Sequence, residues 1–230
     1  MSSPQSGQQI TLYDTYVEVT VSGVKKLLSW PTFKELFDRV MTREETVLDP
    51  IIMPSHALTF GKTPTVIEVN TYWPESKVKV QYLDKYDTGN KPITYEVPFP
   101  NILLYFKLTL RGEVFNVDTA KYLCTPHPVG KLLNTTPKFF REANPKEGIY
   151  VLPMPNIYAE ARACYGQNSM PQGFKIDFRG LDWYYLFLHN STFNSDLSVP
   201  GVGRSYNPKD WLIHLSKLDK FPYDLLTSRS

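Results

Sequence analysis

NILLYFKLTLR, Asn101–Arg111, is a more continuously apolar run than any stretch around it, and Gly112 permits a turn into a second strand, Glu113–Val117. Working upstream, Val66–Tyr72, Lys77–Leu83 and Ile93–Val97 read as strands, separated by the turn-rich pieces Trp73–Ser76 and Asp87–Asn90. Short connections of this kind favour antiparallel neighbours, so the middle of the chain reads as a meander. Further upstream, Tyr13, Thr15, Val17, Val19 and Val21 recur with period two within Leu12–Val21, which predicts another strand. Pro31 then precedes Phe33, Leu36, Phe37, Val40 and Met41, apolar at spacings of three and four, which predicts an amphipathic helix over Pro31–Thr42. Residues 1–9 are polar and read as a flexible tail.

Downstream the character changes. Cys124–Asn156 is rich in Pro, Thr and Asn, with a short helix expected near Phe139–Ala143, and Tyr158–Gly173 shows little periodicity. Trp183–His189 reads as a strand-like or buried run. The chain closes on an expected helix: Asn207 as N-cap, Pro208 in the first position, and Trp211, Leu212, Leu215 and Leu218 on one face. Strands and helices are largely segregated, so the expected class is a single α+β domain rather than a doubly wound fold. There is no internal repeat.

Composition narrows the function. A net charge of +2, from 25 basic and 23 acidic residues, with no dense basic cluster, argues against a nucleic-acid surface. Two distant cysteines, Cys124 and Cys164, make neither a disulfide framework nor a paired-thiolate zinc motif. No run approaches the length of a membrane span, and Met1–Gln9 has no apolar signal core, so the expectation is a soluble cytoplasmic protein. No cofactor is expected.

The segment with chemical promise is Val151–Pro171, VLPMPNIYAEARACYGQNSMP. Pro153 and Pro155 hold the approach extended, Asn156 opens a loop, and Cys164 follows after seven residues. A loop thiolate can attack a carbonyl or thioester while a nearby carboxamide steadies the oxyanion. The same residues also suit plainer uses: a free cysteine is often a small buried hydrophobe, and Asn156 is an ordinary turn residue. Cys124 and His127 lack a second ligand pair, His189 and His214 read as packed rings, and the Trp183-Tyr184-Tyr185 cluster reads as core. Gly201-Val202-Gly203 lacks the setting of a phosphate cradle.

Pro155-Asn156-Ile157-Tyr158, with Arg162-Ala163-Cys164 at this spacing, resembles the active-site stretch of ubiquitin-conjugating enzymes, which carry His-Pro-Asn followed by seven residues and then a thioester-forming cysteine. The likeness is nearer to the prokaryotic family D of that superfamily, which includes protein B of the plasmid-associated PRTRC system. It rests on Leu103–Leu110 with Phe106-Lys107, on Leu152–Asn156 leading to Cys164-Tyr165-Gly166, and on Ser191-Thr192-Phe193. It spans residues 90–200. Met154 stands where the family has histidine, Ala161 where a turn glycine is common, and Tyr165 where an aliphatic residue follows the cysteine.

The resemblance implies a meander sheet of about four strands packed by helices over 61–230, with 10–60 as an N-terminal strand-and-helix extension. It implies a prokaryotic or mobile-element conjugating protein, with Cys164 carrying a ubiquitin-like modifier as a thioester and Asn156 supporting the oxyanion. Its partners are then an activating enzyme and the modifier itself. The sequence identifies no residue to position an incoming amine; Asp177, Asp182 and Asp196 are conceivable carboxylates, and none is singled out. The alternatives are an inactive scaffold of that fold, or a sheet-rich phage or plasmid structural protein that binds other proteins.

Overall fold

The apolar run forms β8, Asn101–Arg111. Ile102, Leu103, Leu104, Tyr105 and Phe106 are all buried, so both faces of the strand are covered. A strand buried on both faces has no polar side to display, which is why its sequence does not alternate. β5 (Val66–Trp73) pairs along one edge of it and β9 (Val114–Thr125) along the other, both antiparallel. Gly112 makes the tight connection from β8 to β9 with φ 64°. The computed structural model describes residues 9–14, 16–21, 24–34, 51–84, 91–134, 139–202 and 206–227.

From this centre the sheet grows outward. β4 (Ala57–Lys62) adds to β5, and β1 (Gln9–Leu12), β2 (Tyr16–Val21) and β3 (Val24–Ser29) continue beyond β4. β10 (Tyr150–Val151) closes the other side against β9. The result is an eight-stranded sheet in the order β10-β9-β8-β5-β4-β1-β2-β3, and all its pairs are antiparallel. β6 (Ser76–Tyr82) and β7 (Ile93–Phe99) do not join it. They form a hairpin, and β11 (Thr192–Phe193) adds parallel to β6 as a second, three-stranded sheet.

This overturns the expected α+β arrangement of the ubiquitin-conjugating type. The chain is mostly β, and its main sheet has eight strands rather than a meander of about four. The expected meander is interrupted because β6 and β7 peel away: Val78, Val80 and Tyr82 turn inward while Lys77, Lys79 and Gln81 face out, giving a hairpin with its own buried face. β4 crosses position 60, so the sheet runs on from the 61–230 region into the 10–60 region without a break.

Several local expectations also change. Leu12–Val21 is not one strand: β1 ends at Leu12 and β2 begins at Tyr16, the two pair antiparallel, and Tyr13 N–H bonds to Tyr16 O at 2.9 Å. β9 extends to Thr125, because β8 offers a partner for its whole length; Asp118 is accommodated as an extra residue between the Lys107–Thr119 and Leu108–Val117 pairs. Residues 30–34 are helical, and the rest of the helix expected over Pro31–Thr42 lies outside the described residues, as does the tail up to residue 8.

Helices cover the sheet. α1 is Val129–Asn134, α2 is Asp182–Asn190 and α3 is Pro208–Leu215. α2 occupies the stretch that reads as a buried strand. Leu181, Tyr184, Tyr185 and Leu188 are buried at helical spacing, while Trp183 is 57% exposed. It packs on the large sheet through Phe106–Tyr184 (5.1 Å between rings) and Trp73–Tyr185, stacked at 3.8 Å, and touches β7 through Phe99–His189. α3 forms as its sequence signals indicate: Asn207 Oδ1 accepts from Asp210 N at 2.8 Å, and Trp211, Leu212 and Leu215 are fully buried.

The opposite face of the large sheet is covered by the segment after β9. There is no helix at 139–143. Instead the buried Asn70 of β5 holds Phe140 extended, accepting from Phe140 N at 3.0 Å and donating to Phe140 O at 3.3 Å, with Thr59 Oγ1 as a further donor at 3.1 Å. Both backbone groups that a helix needs are thus taken by one carboxamide.

Two predictions arise from this packing. Asn70→Ala leaves the buried Phe140 amide unpaired and should cost about 1–3 kcal/mol in urea unfolding. His189, wedged against Phe99 and Tyr185, has its pKa lowered by burial. The unfolded chain therefore binds a proton that the folded chain resists, and stability should fall as pH drops below about 6.5. A melting-temperature series between pH 7.5 and 5.5 should show this fall, and His189→Phe should flatten it.

Candidate functional site

The chain reaches Asn156 along a strictly held path. Leu152 N–H bonds to Tyr122 O at 3.1 Å, extending the contact of β10 with β9, and the Trp211 indole of α3 donates to Pro153 O at 2.6 Å. Met154 is fully buried and serves as packing. Asn156 then adopts φ 64°, a left-handed conformation that asparagine tolerates better than most residues, and the chain reverses.

The seven residues between Asn156 and Cys164 form a miniature hairpin. Cys164 N–H bonds to Asn156 O at 2.7 Å, Ile157 bridges Ala163, and Tyr158 N–H bonds to Arg162 O at 2.8 Å. Ala161 takes φ 65° and closes the tip. Its carbonyl accepts from Tyr122 N at 2.7 Å, and Lys121 Nζ donates to Glu160 O at 2.6 Å, so the hairpin is fastened to β9. Ile157, Ala161 and Ala163 are buried beneath it. The spacing of asparagine and cysteine is thereby explained: they are opposite residues at the open end of a short antiparallel ladder.

Both side chains are half-buried, and both line one cleft of about 170 Å³. Tyr165 and Gly166 complete this wall. Tyr165 turns its ring into an aromatic group with Tyr184 (5.9 Å) and Phe187 (5.1 Å) of α2; burial pushes its phenol up to about 12. The neighbouring Cys164 thiol raises the Tyr158 phenol above its ordinary value.

The facing wall comes from the end of α2 and from β11: Ser191, Thr192, Asn194 and Asp196. Parallel pairing of β11 with β6 places it, and an Asn194–Asp196 turn shapes it, with Asp196 N–H on Asn194 Oδ1 at 2.9 Å and Asn194 Nδ2 on the Asp196 carboxylate at 2.9 Å. Of the three candidate carboxylates, only Asp196 is here. Asp177 pairs with Arg179 at 2.6 Å, and Asp182 accepts from Ser55 N at 3.0 Å. The Asn-Ser-Asp turn is a readable signal, but its partnership with a hairpin some thirty residues earlier in the chain is not.

The remaining candidates are placed elsewhere. Cys124 is fully buried, its thiol donating to Val151 O at 3.6 Å, and burial drives its pKa far above the usual thiol range. Among the described residues no group of three His, Cys, Asp or Glu side chains is arranged to hold a metal ion. His214 stacks with Tyr206 and Trp211, and Trp183, expected in the core, is exposed while Tyr184 and Tyr185 are buried. Among the described residues no helix is long and apolar enough to cross a membrane.

No family model matches the chain, and neither a curated protein nor a solved structure matches it.

The two thiols differ enough to be told apart in solution. Iodoacetamide at pH 7.5 should label Cys164 alone in the native protein, and Cys124 only after unfolding, as peptide mass mapping will report.

Proposed function

We propose that Cys164 is a thioester carrier. It takes the C-terminal carboxyl of a ubiquitin-like modifier from an activating enzyme and passes it to an amine. The observation that carries this reading is that Cys164 and Asn156 are locked opposite each other by a backbone hydrogen bond and open into one cleft with Asp196. The motif's spacing supports it too, since the hairpin gives that spacing a geometric purpose.

The chemistry balances without a cofactor. The Cys164 thiolate attacks the donor thioester carbonyl, the donor's carbon–sulfur bond breaks, its sulfur leaves as thiolate, and the acyl group rests on Cys164. An amine then attacks that carbonyl, Asp196 takes the amine's proton, and the sulfur leaves as thiolate. The Asn156 carboxamide donates to the oxygen that becomes negative in both steps. Tyr158, whose phenol is raised by the neighbouring Cys164, supplies a hydroxyl that donates to the thiolate when it forms.

A second reading is a phage or plasmid structural protein that binds other proteins. The sheet-rich architecture favours it, as does the buried Met154 where the family keeps a histidine.

Incubation with the activating enzyme, the modifier and ATP decides between them. The carrier reading expects an adduct that thiols release, that becomes a thiol-resistant ester in Cys164→Ser, and that is absent in Cys164→Ala. Asn156→Asp, which keeps the left-handed preference but loses the amide donor, should slow transfer about 100-fold. No adduct with any modifier, while Cys164 stays open to alkylation, leaves the binding-protein reading.

A further inference from the structure

Of the four tryptophans, three donate their indole N–H inside the protein: Trp30 to Tyr13 O at 2.9 Å, Trp73 to Thr71 Oγ1 at 3.1 Å and Trp211 to Pro153 O at 2.6 Å. Among the described residues the Trp183 indole of α2 has no such acceptor, and it is 57% exposed. The helix does not need an indole at this position to cover the sheet, because Tyr184, Tyr185, Phe187 and Leu188 carry its buried face. A large aromatic ring left open with an unused donor is the kind of side chain that recognition employs.

The indole lines an open depression of about 360 Å³. Two segments bring neutral polar groups to the same depression: Asn168 and Ser169 from the loop after Cys164, and Asn190 and Ser191 at the end of α2. Asn168 is held in place, its Nδ2 donating to Tyr165 O at 2.8 Å, which leaves Oδ1 as an acceptor. Ser191 is only 7% exposed, and its Oγ is buried with no hydrogen-bond partner. Such a hydroxyl is rare in a folded protein, since it forfeits its bonds to water and gains none in return. A ligand oxygen in the depression supplies the missing partner once Ser191 turns about χ1.

These groups select a chemical class. Carboxamides and hydroxyls each offer a donor and an acceptor, and so does every hydroxyl of a sugar. A pyranose also carries a face of C–H groups that packs flat on an aromatic ring, so one ligand uses the indole and the polar rim together. A purely apolar ligand would desolvate the polar side chains without pairing them, and a flat heterocycle would reach them only through its edge. We propose that this depression binds a small neutral saccharide, with Trp183 as the stacking platform and Asn168, Asn190 and Ser191 as its hydrogen-bonding partners. Its volume lies in the range of small-molecule sites. The site goes beyond the carrier reading and does not depend on the chemistry of Cys164.

Trp183 reports its own occupancy. In proton–nitrogen correlation spectra of the full chain, the indole signal that disappears in Trp183→Phe should shift saturably with at least one of a set of neutral sugars. The set is the methyl glycosides of glucose, galactose and mannose, N-acetylglucosamine, and cellobiose. The indole signals of Trp30, Trp73 and Trp211 should stay in place. Asn190→Ala should raise the Kd about tenfold. Ser191→Ala separates ligand binding from packing: it should also raise the Kd, yet leave the melting temperature unchanged or higher, because it removes an unpaired hydroxyl. No shift with any of these sugars, equal shifts at all the indoles, or a Kd unchanged in both Asn190→Ala and Ser191→Ala overturns the assignment. So does tighter binding of an N-acetylated, C-amidated neutral pentapeptide, which makes the depression a peptide site instead.

Discussion

Everything in this molecule is arranged around the need to cover both faces of β8. Five consecutive apolar residues, Ile102 to Phe106, cannot meet water on either side, so the strand is paired on both edges and roofed on both faces. One roof is α2, whose Tyr184 and Tyr185 rings meet Phe106 and Trp73. The other is the segment around Phe140, pinned by the carboxamide of Asn70. On that second face a polar residue does the positioning, which is possible because its donors and acceptors are matched to the segment it holds.

The cleft inherits its geometry from these two constraints. β9 must run the full length of β8, and its later residues then offer the amides and carbonyls that fasten β10 and the Asn156–Cys164 hairpin. α2 must lie on the sheet, and its end delivers Ser191 and Asp196 to the facing wall. Tyr165 joins the two halves, being next to Cys164 in sequence and packed on α2 in space. The candidate nucleophile thus sits on a short ladder braced from beneath by buried Ile157, Ala161 and Ala163. Rigid support of this kind is what oriented chemistry requires.

Much of the central architecture was legible in local pattern. β5, β6, β7 and β8 lie close to where alternation and apolar runs place them, and α3 begins at the cap its asparagine and proline announce. Asn156 and Cys164 stood out through their spacing, and the cleft brings them together. What could not be read was partnership. β4 and the added strands β1 to β3 enlarge the sheet by edge pairing, β6 and β7 leave it, and Trp183–His189 is helical although its aromatic residues suit strands equally well.

The sequence alone determined the chemistry carried at each position and the short-range conformations: where a strand must be buried, where a helix is capped, and that an asparagine and a thiol recur at a distance a small hairpin can close. These follow from forces acting over a few residues, namely side-chain periodicity, backbone sterics and local hydrogen bonds. Only the tertiary structure decided which edges pair, which thiol is sealed and which is open, and which carboxylate faces Cys164. Those outcomes depend on contacts between segments far apart in the chain, where each strand or helix is chosen by the surface it must cover rather than by its own propensity.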